Sequence, residues 1–282
     1  MSAASRRTLT RICTVYLPVA VLLVLALFPF YWMLIASLKV NAELYNLKAN
    51  PFIVLQPTLD HYVYLLTKIP FVRWATNTLI VATASTIISL FAGIPAGYAL
   101  GRVRFKGAST LGIVVFITYL VPQTLLFLAL GEVVNALNLL DNLWALILTY
   151  PTFLIPFSAW LLMGYFKTIP LELDESAMID GATRLQTMIR VIIPLATSGI
   201  LSAAIFSFTL SWNEFIYALI FLSSTASKTL PIGVVTELVR GDVFFWGELM
   251  AGALLGSLPV AFIYSFFVDQ YTAGLTTGAV KG

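Results

Sequence analysis

The sequence predicts an all-α integral membrane protein with six transmembrane helices. Composition is the first observation behind this. Of the 282 residues, 60% are hydrophobic and only 10% charged, with a mean hydropathy of +0.94. A soluble domain is usually about 45–50% apolar and about 25% charged. Distribution is the second: the apolar residues gather into six runs, roughly 12–38, 75–101, 108–131, 143–166, 195–222 and 244–268. About 20 such residues span a bilayer as a helix. Without internal repeats or low-complexity linkers, a single domain over 1–282 is expected. The net charge of +3 is too small to argue for nucleic acid.

The first run follows Arg6, Arg7 and Arg11. From Ile12 to Leu38 it is too long for a signal-peptide core of about 7–15 residues, so it reads as an uncleaved span. Cys13 lies inside it; a lone Cys makes no internal disulfide, and no cluster suggests a metal. The connection from Lys39 to Trp74 is the longest, broken by Pro51, Pro57 and Pro70. Within it Thr58-Leu59-Asp60-His61-Tyr62 predicts a short capped helix, with His61 as a solvated residue.

Gly93, Gly97 and Gly101 recur every four residues in the second run, as do Gly252 and Gly256 in the sixth. Small residues at that spacing let two helices approach closely. Most runs contain proline, which membrane helices tolerate where neighbours satisfy the freed carbonyls. Tyr119 and Gln123 flank Pro122 in the third run, and Trp212-Asn213-Glu214-Phe215 lies in the fifth. A charge at the centre of a lipid-facing helix costs at least ~2.5–3.5 kcal/mol. Glu214 should therefore face the bundle interior, a water-filled cavity or a partner, either as a polar anchor between helices or as a pathway lining. Tyr119, Gln123, Asn213 and Glu214 are the candidate pathway or substrate residues.

Between the fourth and fifth runs stands a charged hairpin, Pro170 to Pro194. Pro170 suits a helix start. Glu172, Asp174 and Glu175 place negative charge at the positive end of the helix dipole. Gly181 is a natural stop because glycine takes the left-handed conformation without steric cost. Thr183 and Gln186 have capping-box spacing for a second helix. Leu185, Met188, Ile189, Ile192 and Ile193 predict one apolar face on it. Two punctuated helices exceed what a reconnecting loop needs, and suggest a surface made to be gripped. A hairpin lying on lipid headgroups is the plainer reading.

Lys and Arg in short loops set orientation. With the N-terminus inside, ten fall inside (Arg6, Arg7, Arg11, Arg102, Arg104, Lys106, Lys167, Arg184, Arg190, Lys281) and six outside (Lys39, Lys48, Lys68, Arg73, Lys228, Arg240). Both termini and the hairpin are then cytosolic.

Glu175-Ser176-Ala177, Gly181 and Val191-Ile192-Ile193-Pro194 resemble the EAA loop of ABC importer permeases, roughly E-A-A-x-x-x-G and later I-x-L-P. Ser176, Val191 and Ile193 are mild departures. The tail Gly274-Leu275-Thr276-Thr277-Gly278-Ala279-Val280-Lys281-Gly282 resembles the end of carbohydrate-type permease subunits similar to the second membrane subunit of the maltose importer, with Thr277 for Ala. Ser37-Leu38-Lys39, Tyr98-Ala99-Leu100-Gly101-Arg102 and the Trp212–Phe215 segment extend the likeness over essentially the whole chain. Ser198 stands where the family often has proline, which puts the local helix entry in question.

The resemblance implies a type I ABC importer permease fold in the cell membrane and a non-catalytic subunit for carbohydrate import. It implies a second permease subunit, two ATPase subunits and an extracytoplasmic binding protein as partners. Glu175, Ser176, Ala177, Asp180, Gly181 and Ala182 would couple to the ATPase, and Thr276, Thr277, Gly278 and Lys281 of the 269–282 tail would reach it. ATP and Mg would be bound by the partners. This chain has no phosphate loop of its own and no catalytic motif. Alternatives are a glycerol-phosphate ester or polyamine as cargo, an ion-driven transporter, which should show related halves with broken helices, and a membrane-embedded enzyme.

Overall fold

A computed structural model describes residues 11–279, with side chains as far as residue 268. The contacts divide the chain into two compact units, residues up to 69 with 234–257, and 70–233 with 258 onward.

In the first unit a π-helical turn, Ile12–Tyr16, leads into α1 (Leu17–Leu38). Apolar side chains are exposed around α1 until its last turn, where Ile35, Ala36 and Ser37 are buried. A helix apolar all round is the signature of a membrane span. The long connection that follows is ordered by charge. Lys39 pairs with Glu43 of α2 (Asn41–Leu44) at 3.5 Å, and its ammonium donates to the Asn50 and Pro51 carbonyls at 2.8 and 3.0 Å. The Glu43 carboxylate accepts the N–H groups of Leu55 and Gln56 at 3.2 Å. Burial alone would raise this carboxyl; those N–H groups and the Lys39 ammonium hold it below its usual range. The expected short helix is α3 (Asp60–Thr67), with Thr58 Oγ1 accepting the Asp60 N–H at 3.1 Å.

The second unit begins with α4 (Phe71–Arg102), which packs against α8 (Pro151–Phe166) and α12 (Thr197–Trp212). The glycine stripe brings α4 onto α8: a Cβ on Gly97 would stand 2.9 Å from Leu162 Cβ and 3.0 Å from the Ala159 carbonyl. Between α4 and α8 come α5 (Ala108–Leu120), α6 (Gln123–Ala136) and α7 (Leu143–Thr149). The hairpin supplies α9 (Glu172–Ile179), α10 (Arg184–Thr187), a π-helical turn Met188–Ile192 and α11 (Ile193–Leu195). After α12 comes α13 (Ile216–Phe221). One core cluster gathers Tyr150, Phe153, Leu154, Tyr217 and Phe221; a second gathers Tyr98, Leu162, Phe166, Met188 and Ile192.

The segment expected to be an outer loop, 223–243, instead contains α14 (Leu230–Leu238) and strand β1 (Val239–Arg240), which pairs antiparallel with β2 (Val243–Phe244). Last is α15 (Trp246–Ala279).

Among the described residues four helices are long and apolar enough to cross a membrane: Ile12–Leu38, Phe71–Arg102, Leu143–Phe166 and Trp246–Val268. Two bent pairs, α5 with α6 at 90° and Arg184–Leu195 with α12 at 81°, raise the number to as many as six if each pair is one broken span. The third apolar run is therefore not one straight helix. Val121, preceding Pro122, is extended at ψ 124°, as steric clash with a following proline favours. The fifth run is interrupted as well, between Trp212 and Ile216.

His61 is not solvated. It is 3% exposed, with Nε2 2.8 Å from the Lys39 carbonyl oxygen and Nδ1 3.2 Å from Glu248 Oε1 in the first turn of α15. His61 and Leu65 form the inward face of α3. Gly247 leaves the ring its space, since a Cβ there would overlap it.

Candidate functional site

The hairpin is built as its punctuation demands. Gly181 has φ +89°; its N–H bonds the Met178 carbonyl at 3.1 Å, and the Ala182 N–H bonds the Ala177 carbonyl at 3.0 Å. These two bonds are a Schellman stop. Thr183 and Gln186 close a full capping box, with bonds of 2.8 and 3.3 Å. The expected single apolar face, however, is split. Met188 and Ile192 are buried, while Leu185 and Ile189 are exposed. Leu185 lies ahead of the π-helical turn Met188–Ile192, whose i→i+5 bonds shift the register only of the side chains that follow.

The tip therefore presents apolar area outward. Ile179 is 86% exposed and Leu185 61%, with Met178 beside them. Glu175, Ser176, Asp180 and Gly181 are exposed, and Ala177 and Ala182 half-buried. Ser176 Oγ donates to the Glu172 carbonyl at 2.7 Å. Glu175 borders a cleft of about 170 Å³ that it shares with Arg104 and Arg184.

The base of the hairpin is held by a pairing that the sequence did not show, although Asp174 was read there as a helix-dipole charge. Arg102, the last residue of α4, is buried and pairs with buried Asp174 in the first turn of α9. Tyr98, one turn earlier, donates to Asp174 Oδ1 at 2.8 Å. Nothing in the sequence signalled this pairing, because the two charges stand 72 positions apart. At the far end Tyr165 and Ser198 hydroxyls meet at 2.6 Å, so the serine in place of the family proline is bonded to α8.

The pathway candidates occupy different surroundings. Glu214 is 7% exposed; it accepts the Tyr150 hydroxyl at 2.7 Å and the Tyr217 and Ala218 N–H groups at 2.8 and 3.2 Å. It thereby caps α13 and anchors it to the start of α8. Its neighbour Asn213 is exposed, with its amide donating to the Thr209 carbonyl at 2.9 Å. Tyr119 and Gln123 are half-buried on either side of the bend between α5 and α6, and the Tyr119 ring lies 5.4 Å from that of Phe157. Thr276, Thr277 and Gly278 fall on the last turn of α15; Lys281 lies outside the described residues.

A polar pocket of about 290 Å³ opens beside Arg73, Asn77 and Asp141. The Ser227 hydroxyl, with the Ser224 and Ser223 N–H groups, holds the Asp141 carboxyl below the usual carboxylate range.

Residues 93–276 match the family described as the binding-protein-dependent transport system inner membrane component. The chain is 39% identical to the inner membrane ABC transporter permease protein YcjP of Escherichia coli, over 99% of this chain and 100% of that one. It is 35% identical to the sulfoquinovosyl glycerol transport system permease protein SmoH of Agrobacterium fabrum, over 95% and 93%. Identity to the trehalose/maltose transport system permease protein MalG of Thermococcus litoralis is 32%, over 92% and 93%. A chain of a bacterial ABC transporter that imports the acidic polysaccharide alginate superposes with a TM-score of 0.77 at 21% identity, covering 96% of this chain and 99% of that one. At that identity the likeness is one of fold.

Proposed function

The chain belongs to the family of binding-protein-dependent transport inner membrane components, and on that premise we propose that it is the permease subunit of an ABC importer whose cargo is a carbohydrate. It is a multi-pass membrane protein with the type I permease fold. Several relatives are named for sugar or oligosaccharide transport, which supports carbohydrate cargo.

In this reading the chain performs no covalent chemistry. Two ATPase subunits bind ATP and Mg, a second permease subunit completes the pathway, and an extracytoplasmic protein delivers the solute. The excess of Lys and Arg on one side supports cytosolic termini and a cytosolic hairpin. The hairpin tip around Glu175–Ala182 seats in an ATPase groove as an amphipathic helix does, with the tail as a second contact. ATP binding then moves the hairpin, and the permease subunits rock between inward and outward access. In this reading Asn213, Tyr119 and Gln123 meet cargo, and Glu214 fixes the helix break next to Asn213.

One observation carries the reading: the hairpin exposes Ile179 and Leu185 at its tip on a base held by buried charges. An exposed apolar tip on a rigid mount is what a docking element requires. The test is uptake of labelled mono-, di- and trisaccharides by cells with and without the gene. Loss of uptake for one sugar or a related set is expected. Unchanged uptake across the panel in expressing cells overturns the carbohydrate reading, with glycerol-phosphate esters the next cargo to test.

A further inference from the structure

The Arg102 guanidinium is saturated. Nε donates to Asp174 Oδ2 at 2.7 Å; Nη1 donates to the Phe166 and Ile169 carbonyls, each at 2.7 Å; Nη2 donates to the Pro170 carbonyl at 2.7 Å and again to Asp174 Oδ2. Arginine has five N–H donors in a fixed planar fork, and here every one has an acceptor. Asp174 is gripped on both oxygens from α4, by Arg102 on Oδ2 and by Tyr98 on Oδ1.

The acceptors belong to three elements. Phe166 ends α8, and helix-terminal carbonyls lack partners within the helix. Ile169 and Pro170 form the link to α9, and Arg102 adds side-chain bonds to both of their carbonyls. Asp174 is in the first turn of α9 itself. One side chain thus ties the end of α4, the end of α8 and the start of α9. The other end of the hairpin is held mainly by the apolar packing of Met188 and Ile192 against Tyr98, Leu162 and Phe166, with the Tyr165–Ser198 hydroxyl bond just beyond it. Apolar contacts are non-directional, whereas a buried carboxylate with two Arg102 N–H groups on Oδ2 and the Tyr98 hydroxyl on Oδ1 is fixed in both distance and rotation.

We propose that Arg102 is a positioning residue for transport, making the hairpin and α4 one rigid body so that displacement of the tip is delivered to α4 rather than absorbed at the link. This rests on the reading of the hairpin as the ATPase contact. Lysine cannot replace it, because a point-charge ammonium with three donors does not reproduce the planar fork.

The experiment uses the assembled transporter in proteoliposomes, comparing solute transported per ATP hydrolysed for Arg102→Lys, Asp174→Asn, Gly181→Val and the double variant Arg102→Met with Asp174→Leu. The double variant leaves no lone buried charge, the costliest outcome of breaking such a pair, and the amount of assembled complex is measured for every variant. The expected result is that the three variants at the base assemble and hydrolyse ATP, with transport per ATP down on the order of tenfold, the scale of a typical coupling between sites. Wild-type transport per ATP in the base variants, beside an inactive Gly181→Val, overturns the proposal alone. Wild-type uptake by Gly181→Val overturns the reading of the hairpin, and the proposal with it. A proportionate loss of transport and ATPase that follows the amount of assembled complex also overturns it.

Discussion

Tyr150 donates its hydroxyl to Glu214 at 2.7 Å, joining the start of α8 to the break between α12 and α13. Both residues are buried, Tyr150 at 1% exposure and Glu214 at 7%. Removing the hydroxyl leaves a buried carboxylate oxygen with one fewer donor, which costs about 1–3 kcal/mol. Tyr150→Phe should therefore lower the thermal midpoint of the purified protein, read by intrinsic fluorescence. An unchanged midpoint would show that this bond does not stabilise the break.

Gly181 sits at φ +89°, with open space where a Cβ would stand. The cost of a side chain there is one of backbone, about 1–2 kcal/mol for a β-carbon in the left-handed region. Gly181→Val should abolish uptake while the protein still inserts, and Gly181→Asn should retain much of it, since Asn tolerates that conformation. Uptake assays beside membrane immunoblots check both.

Gly97 meets backbone as well as side chain, with Ala159 O only 3.0 Å from a Cβ placed on it. Gly97→Leu should force α4 from α8, at about 1–3 kcal/mol for overpacking. A drop in thermal midpoint greater than that from Gly112→Ala is the expected result. The Gly112 site faces only the flexible Met163 side chain.

His61 has acceptors on both ring nitrogens: the Lys39 carbonyl and the Glu248 carboxylate. Asp60 adds a further negative charge, and the Lys39 ammonium is turned to Glu43. The bond to Glu248 raises the imidazole above its ordinary 6.5 despite burial. A raised folded-state value means the stabilisation is complete below the unfolded pKa and fades as pH rises through the folded one. Thermal midpoints measured from pH 6 upward should fall on the alkaline side of about 6.5, and His61→Gln should flatten that slope. An equal slope in His61→Gln would refute the assignment.

Much of the hairpin was legible in the order of its residues. A Schellman glycine, a capping box and an acidic first turn act over three to five positions, so Gly181, Thr183 and Gln186 declared themselves. The apolar face did not read through: Leu185 and Ile189 are exposed while Met188 and Ile192 are buried, and the π-helical turn at Met188–Ile192 departs from the 3.6 periodicity on which the face was read. The break at Glu214 was equally hidden: an apolar run reads as continuous, whereas the Glu214 carboxylate caps the start of a new helix there by taking the N–H groups of Tyr217 and Ala218.

By itself the sequence determined that the chain is a helical membrane protein, where its apolar runs fall, and that a capped, charged hairpin interrupts them. Each of these follows from hydropathy and from contacts within one helical turn. Only the tertiary structure decided that Arg102 closes on Asp174, 72 positions away, that His61 is buried against Glu248, and which end of the hairpin is held by charge. Such pairs form only where packed helices bring distant segments together, and a buried charge seeks whichever partner the packing provides.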